Sequence, residues 1–136
     1  MTLLAKRTRS PEDPRRLREL LDRACELALD HQLGSVVVGI AGPEGDLLFP
    51  DLLAYLQSAL RVEDAVFRLT RERAVLFLAD VTRAQVESIL TRLRAEFADR
   101  FPATKGPEVS LGFYELRAGS EPVTLKEVLP TLFSES

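Results

Sequence analysis

The side chains of this sequence offer little to a catalyst. The one histidine, His31, and the one cysteine, Cys25, lie close together in the chain. Neither has the further ligands a zinc ion needs, or the third member that a nucleophile and base need. Cys25 falls on an apolar helical face and reads as a small core residue, and His31 at the end of that helix is expected to meet its last carbonyls. Gly42-Pro43-Glu44-Gly45 lacks the lysine of a phosphate-binding loop and reads as a turn. Ser110 belongs to a strand, without the sharp turn that presents a nucleophilic hydroxyl. What stands out is charge. Thr70-Arg71-Glu72-Arg73 sets one carboxylate between two guanidiniums, at a polar break between two apolar runs. Arginine supplies 15 of the 18 basic residues, and its planar fork suits bidentate binding of phosphate or carboxylate.

Composition narrows the classes. A chain of 136 residues with 46% hydrophobic content can build one proper core. A net charge of −3 argues against a general nucleic-acid binder, which carries a basic face, but leaves room for a local arginine cluster serving a small anion. One cysteine excludes an internal disulfide. The basic start, Met1 to Ser10, precedes no apolar run of the kind a secretion signal needs, and no stretch approaches the ~20 apolar residues of a membrane span. The expectation is a bacterial-type cytoplasmic protein with no membrane insertion and no bound cofactor or metal.

The elements that must position these charges follow from periodicity. Residues 1–10 read as a flexible lead-in. Ser10-Pro11-Glu12-Asp13 opens a helix, with a serine cap, proline in the first turn and acids behind it; Leu17, Leu20, Leu21, Ala24, Leu27 and Ala28 form its apolar face, and Gly34 ends it. Val36 to Ile40 is a strand apolar on both faces, as a central strand is. Pro50-Asp51 opens a second helix carrying Leu52, Leu53, Leu56 and Leu60. Ala65 to Leu69 and Ala74 to Ala79 flank the Thr70–Arg73 break as a hairpin. Thr82 and Gln85 cap a third helix with Val86, Ile89, Leu90, Leu93 and Phe97 on one face, stopped by Phe101-Pro102. Glu108 to Leu116 alternates as a half-buried strand. Thr124 and Glu127 cap a last helix that Pro130 should kink or break.

After the leading helix the order is β-α-β-β-α-β with a terminal helix. This is the ferredoxin-like, nucleotide-cyclase-like α+β pattern: a two-layer sandwich of an antiparallel sheet with helices on one face. No linker, repeat or low-complexity tract divides residues 11–136, which read as one domain.

Within that order, the run Arg61-Val62-Glu63-Asp64-Ala65-Val66-Phe67-Arg68-Leu69-Thr70-Arg71-Glu72-Arg73-Ala74 resembles the centre of GGDEF domains, the diguanylate cyclases. There an Arg-x-x-Asp and a strand precede the signature hairpin. Val109-Ser110-Leu111-Gly112-Phe113 is similar to the family's late Ser-x-Gly strand, and Leu125 to Phe133 to its closing helix. The resemblance spans roughly residues 13–136 and lies in order and spacing more than in any one motif.

The resemblance also marks departures. Thr70 and Arg71 stand where the family's two glycines let the backbone approach GTP phosphates. Glu72 keeps a carboxylate, but Arg73 replaces the next acid. No carboxylate stands around Gly39 to Ala41, where a metal-binding Asp is expected, and the segment that reads guanine is shortened to little more than Gly42 to Asp46. Phosphoryl transfer relies on bridging metal ions, and one glutamate is a poor Mg²⁺ site. The resemblance therefore implies a degenerate domain with no catalytic residues. It also implies that Arg61 and Asp64 correspond to the family's product-inhibition site, where the Arg takes a phosphate or guanine acceptor of cyclic di-GMP and the Asp takes guanine N–H groups. Arg92 falls where an additional arginine of that site can sit, and Arg68 is an accessory. Against this stand plainer roles: Asp64 kept for structure, Arg61 favoured beside a helix C-terminus, and Arg92 paired with Glu96 on one helix face. The functions left are a cyclic di-GMP-receiving module acting through a protein partner or a homodimer, and a scaffold that binds protein but no nucleotide. A residual cyclase ranks last.

Overall fold

In the computed structural model the described residues are 14–43, 45, 48–61, 64–100, 109–119 and 121–133. The expected lead-in over residues 1–10, the cap at Ser10-Pro11-Glu12-Asp13, the stop at Phe101-Pro102 and Asp46 lie outside them. The elements in chain order are α1 (Pro14–Asp30), β1 (Ser35–Ala41), α2 (Phe49–Ala59), β2 (Ala65–Arg68), β3 (Arg73–Ala79), α3 (Arg83–Arg100), β4 (Ser110–Leu116) and α4 (Leu125–Leu132).

The four strands form one antiparallel sheet in the order β2-β3-β1-β4, which is the ferredoxin-like arrangement the sequence pattern implies. β1 lies inside the sheet, and its fully apolar run is buried on both sides. Val36, Val38, Ile40, Leu76 and Leu78 meet Leu52, Leu56, Val86, Leu90, Leu93 and Phe97 of α2 and α3 on one face. Val37, Phe67, Val75 and Phe77 meet Leu17, Leu21 and Ala24 of α1 and Val128 and Leu132 of α4 on the other. The two helices of the βαββαβ unit thus share one face, as expected. The leading and closing helices cover the second, so the antiparallel α+β sheet carries helices on both faces where the pattern implied two layers. Each fully buried leucine or phenylalanine in these layers contributes about 1.5–3 kcal/mol relative to exposure.

Local chemistry sets the helix ends. Thr82 and Gln85 cap α3 reciprocally: the Thr82 N–H donates to Gln85 Oε1 (2.9 Å) and the Gln85 N–H to Thr82 Oγ1 (3.3 Å). Thr124 and Glu127 do the same for α4. Two expectations are corrected. α1 turns off at Gln32, which takes a left-handed φ of 59°, not at Gly34; the trailing carbonyls are met by Leu33 N–H on Leu27 O, Gly119 N–H on Ala28 O and the Gln32 amide on Leu29 O. The His31 ring is exposed. Pro130 does not break α4, which runs on to Leu132. Proline removes a single backbone donor, and burial of Val128 and Leu132 holds the short helix in place.

α4 lies unusually close to the sheet. Gly39 and Gly112 are directly paired across β1 and β4. A Cβ on Gly112 would come within 2.1 Å of the Leu132 carbonyl oxygen, and one on Gly39 within 2.7 Å of the Leu132 Cβ. The glycine pair forms the seat on which the helix rests. Cys25 secures the segment leading into α4, its buried Sγ accepting from the Val123 N–H at 3.5 Å, in keeping with a core residue.

Candidate functional site

The charged residues singled out from the sequence divide between two ends of the sheet, roughly 20 Å apart along the seven residues of β3. One end carries the hairpin tip and an open cleft; the other carries Arg61 and Asp64.

The hairpin turn is closed by Leu69 N–H and Thr70 N–H donating to Arg73 O at 2.9 and 3.2 Å. Glu72 N–H donates to Thr70 Oγ1 at 3.3 Å, and Gly42 N–H to Glu72 O at 2.8 Å. The Arg68 side chain folds over this tip, Nε lying 3.3 Å from Thr70 O and Nη2 3.5 Å from Arg71 O. Beside it a cleft of about 410 Å³ is lined by Ala41, Gly42, Pro43, Glu72, Arg73, Val109 and Ser110. Among the described residues its lining has one carboxylate, and that carboxylate's neighbour in the chain is a guanidinium. Arg73 is also engaged by the closing segment, its Cζ 5.1 Å from the centre of the Phe133 ring. Among the described residues no group of three or more His, Cys, Asp or Glu side chains could hold a metal ion.

At the other end, α2 finishes at Ala59 and the chain turns through Arg61 into β2. Asp64 is buried, its side chain 2% exposed, whereas that of Arg61 is 48% exposed. The Asp64 carboxylate accepts from the Arg61 backbone N–H (3.1 Å), Arg61 Nε (3.1 Å), Arg61 Nη2 (3.2 Å) and the Ala79 backbone N–H (3.1 Å). Arg61 Nη2 also donates to Ala79 O. The geometry has a simple cause. Ladder pairing of β2 with β3 ends at Ala65 opposite Phe77, and two residues further along β3 both backbone groups of Ala79 bond to side chains. The carboxylate takes the N–H and the guanidinium takes the C=O, so the pair completes one more rung of the ladder with side chains. The guanidinium–carboxylate contact is bidentate and charge-assisted, the stronger class of hydrogen bond.

Of the four residues grouped from the sequence, the contacts bring two together and place one at the opposite end of the sheet. Arg61 and Asp64 are in direct contact. Arg68 is bound to the hairpin at the far end of β2. Arg92 lies about 14 Å along α3 from its start, with Nε 3.8 Å from Glu96 Oε2 and a side chain 64% exposed, the same-helix pairing its spacing from Glu96 allows. Sequence reading missed Ala79, whose backbone completes the Arg61–Asp64 arrangement; continuing the hairpin register past Ala65 would have placed it there. It missed a second polar contact as well. The Tyr55 hydroxyl donates to Glu96 Oε1 at 2.6 Å while Arg100 lies over its ring at 5.2 Å, and the bond to Glu96, with burial, raises the Tyr55 phenol above its ordinary value.

No family model and no curated protein matches the chain, but solved structures do. The GGDEF domain of FimX from Pseudomonas aeruginosa superposes with a TM-score of 0.69 at 16% identity, over 90% of this chain and 89% of that one. PelD 158-CT from Pseudomonas aeruginosa PAO1, in complex with c-di-GMP, gives 0.69 at 23% identity over 93% of this chain, which spans 45% of the PelD chain. The Pseudomonas aeruginosa diguanylate cyclase SiaD, in complex with its activator SiaC, gives 0.64 at 20% identity over 95% of this chain and 57% of that one. The chain has the fold of a GGDEF domain. Among the described residues no helix is long and apolar enough to cross a membrane.

Proposed function

We propose that this GGDEF-fold domain is a catalytically inactive regulatory module that receives cyclic di-GMP at Arg61 and signals by associating with a protein partner or a second copy. The observation that carries the reading is the Arg61–Asp64 pair, a half-exposed guanidinium held rigid by a buried carboxylate at the spacing from the hairpin where the family places its inhibition site. Two similar structures support the partner classes: PelD 158-CT was solved with c-di-GMP and SiaD with a protein activator.

Loss of synthesis rests on the cleft at the hairpin. Thr70 and Arg71 put side chains where close phosphate approach needs bare backbone, Arg68 ties down the Thr70 and Arg71 carbonyls, and among the described residues lining the cleft Glu72 is the one carboxylate. Two-metal phosphoryl transfer needs more carboxylate than this. Incubation with GTP and Mg²⁺ should give no cyclic di-GMP; turnover abolished by Glu72→Ala would overturn this part.

Titration calorimetry with cyclic di-GMP tests the receptor role. The wild type should bind and Arg61→Ala should not; binding unchanged in Arg61→Ala would remove the site. A second reading is favoured by the same pair, since it completes the β3 edge without any ligand. A wild type that gives no heat would leave a protein-binding scaffold that takes no nucleotide.

A further inference from the structure

β4 forms the second edge of the sheet and is built unlike the first. β2 has four residues, and at its end Asp64 and Arg61 occupy the backbone groups of Ala79. β4 has seven, Ser110–Leu116, paired with β1. Backbone groups along an antiparallel strand point alternately to its two sides. The Gly42 N–H donates to Glu72 O on the β3 side, so Val38 and Ile40 face β3, and Val37, Gly39 and Ala41 face β4. Their partners Tyr114, Gly112 and Ser110 therefore face inward, and Leu111, Phe113 and Glu115 turn their N–H and C=O groups to the open side. Among the described residues nothing pairs with these outward groups. Proline and lysine, which guard many sheet edges, are absent from β4. Its one charge, Glu115, is drawn back onto the molecule: the carboxylate accepts from the Arg83 N–H at 3.2 Å and lies 3.4 Å from Arg117 Nε.

We infer, resting on the association half of the proposed function, that this edge joins a second copy of the chain, β4 against β4 in an antiparallel register centred on Phe113. With the two-fold axis there, Phe113 pairs with its own counterpart and Leu111 with the other copy's Glu115, so every outward group bonds within the strand. An axis at Gly112 or Tyr114 sends one outward residue beyond the strand, to Val109 or Arg117. An axis at Glu115 sets two carboxylates opposite each other, which is unfavourable. At Phe113 each Glu115 instead lies diagonal to the other copy's Phe113, over whose ring that copy's Arg83 sits at 4.8 Å, so acid and guanidinium are interleaved around the axis. The half-buried Phe113 rings meet as a cross-strand aromatic pair. On the other face Tyr114 stands opposite Gly112, so neither phenol ring has an opposing side chain. Such an isologous contact uses up both β4 edges and closes at the dimer.

Sedimentation equilibrium of the full chain should show a dimer at about 100 µM that dissociates on dilution. Phe113→Lys sets like charges opposite on the axis and should raise the dimer Kd about tenfold or more. In Phe113→Cys the paired Cα atoms lie about 5.5 Å apart, within disulfide reach, so mild oxidation should cross-link the copies. Glu115→Cys, about 14 Å from its counterpart along the strands, should not cross-link. The unsubstituted chain reports too: the Leu111, Phe113 and Glu115 amides should gain exchange protection as concentration rises. A chain that is monomeric at every concentration overturns the inference, and cyclic di-GMP titration then decides separately whether the receptor reading stands. A dimer in which those amides stay unprotected, or which a folded Phe113→Lys leaves intact, overturns β4 as the surface and leaves association standing. Cross-linking of Glu115→Cys in preference to Phe113→Cys overturns the register. A dimer with the expected protection and no heat from cyclic di-GMP upholds the inference and removes the receptor reading.

Discussion

The seat of α4 on the sheet gives a sharp prediction. In Gly112→Ala the new Cβ lies 2.1 Å from Leu132 O, 2.8 Å from its carbonyl carbon and 3.0 Å from its Cα. All three are backbone atoms, so no rotamer change relieves the contact. Restoring an ordinary carbon–oxygen separation of about 3.3 Å requires α4 to lift by roughly 1 Å, which loosens the packing of Val128 and Leu132, 0% and 4% exposed. Overpacking of this kind costs about 1–3 kcal/mol. Full release of the helix sets the ceiling, at about 3–6 kcal/mol for exposing those two side chains. We expect a loss of about 3 kcal/mol in urea unfolding followed by circular dichroism. Gly39→Ala should cost less, since its nearest contact is the Leu132 Cβ at 2.7 Å and the Leu132 carbonyl oxygen stands off at 3.2 Å. Native-state hydrogen exchange should show α4 amides losing protection first in both variants. A Gly112→Ala protein within about 0.5 kcal/mol of wild type, or one more stable than Gly39→Ala, would refute the close-approach argument.

Asp64→Ala should lower stability by about 2–3 kcal/mol in the same unfolding assay, because it strands the Ala79 and Arg61 N–H groups and a guanidinium that shared a charged acceptor. Arg61→Ala should lower it less, since two backbone donors to the carboxylate remain; equal or reversed costs would count against the assignment. Tyr55 should titrate above the ordinary phenol value in an ultraviolet absorbance titration resolved by difference against Tyr55→Phe, with Tyr114 as the remaining signal. Its raised folded-state pKa, caused first by the hydrogen bond to Glu96, means that its stabilising contribution is complete below the unfolded value near 10 and is lost as pH rises through the folded value. Glu96→Gln should bring the Tyr55 midpoint down, and an unchanged midpoint would show that the bond to Glu96 is not the cause.

Most of the fold was legible because its signals are local and redundant. The apolar run Val36–Ile40, the polar break at Thr70–Arg73 and the Thr82/Gln85 and Thr124/Glu127 caps each specify one element, and all agree with the antiparallel order observed. The α1 terminus was misread because Gln32, not glycine, takes the left-handed conformation, supported by a bond from Gly119 that lies far along the chain. Pro130 was overweighted because the burial holding α4 is a tertiary property. For the site, the contact between Arg61 and Asp64 follows from i, i+3 spacing, whereas the separation of Arg68 from them depends on which end of a strand it occupies. Nearness in sequence to a motif carries no such information.

The side-chain rung at Ala79 has a consequence for the behaviour of the protein in solution. β2 is an edge strand of four residues beside a neighbour of seven, and beyond the last β2 pair the Ala79 donor and acceptor of β3, if left bare, would be a starting point for an incoming strand from another molecule. Asp64 and Arg61 occupy that donor and acceptor with groups that cannot themselves propagate a ladder. The same two residues therefore remove one starting point for edge-to-edge pairing.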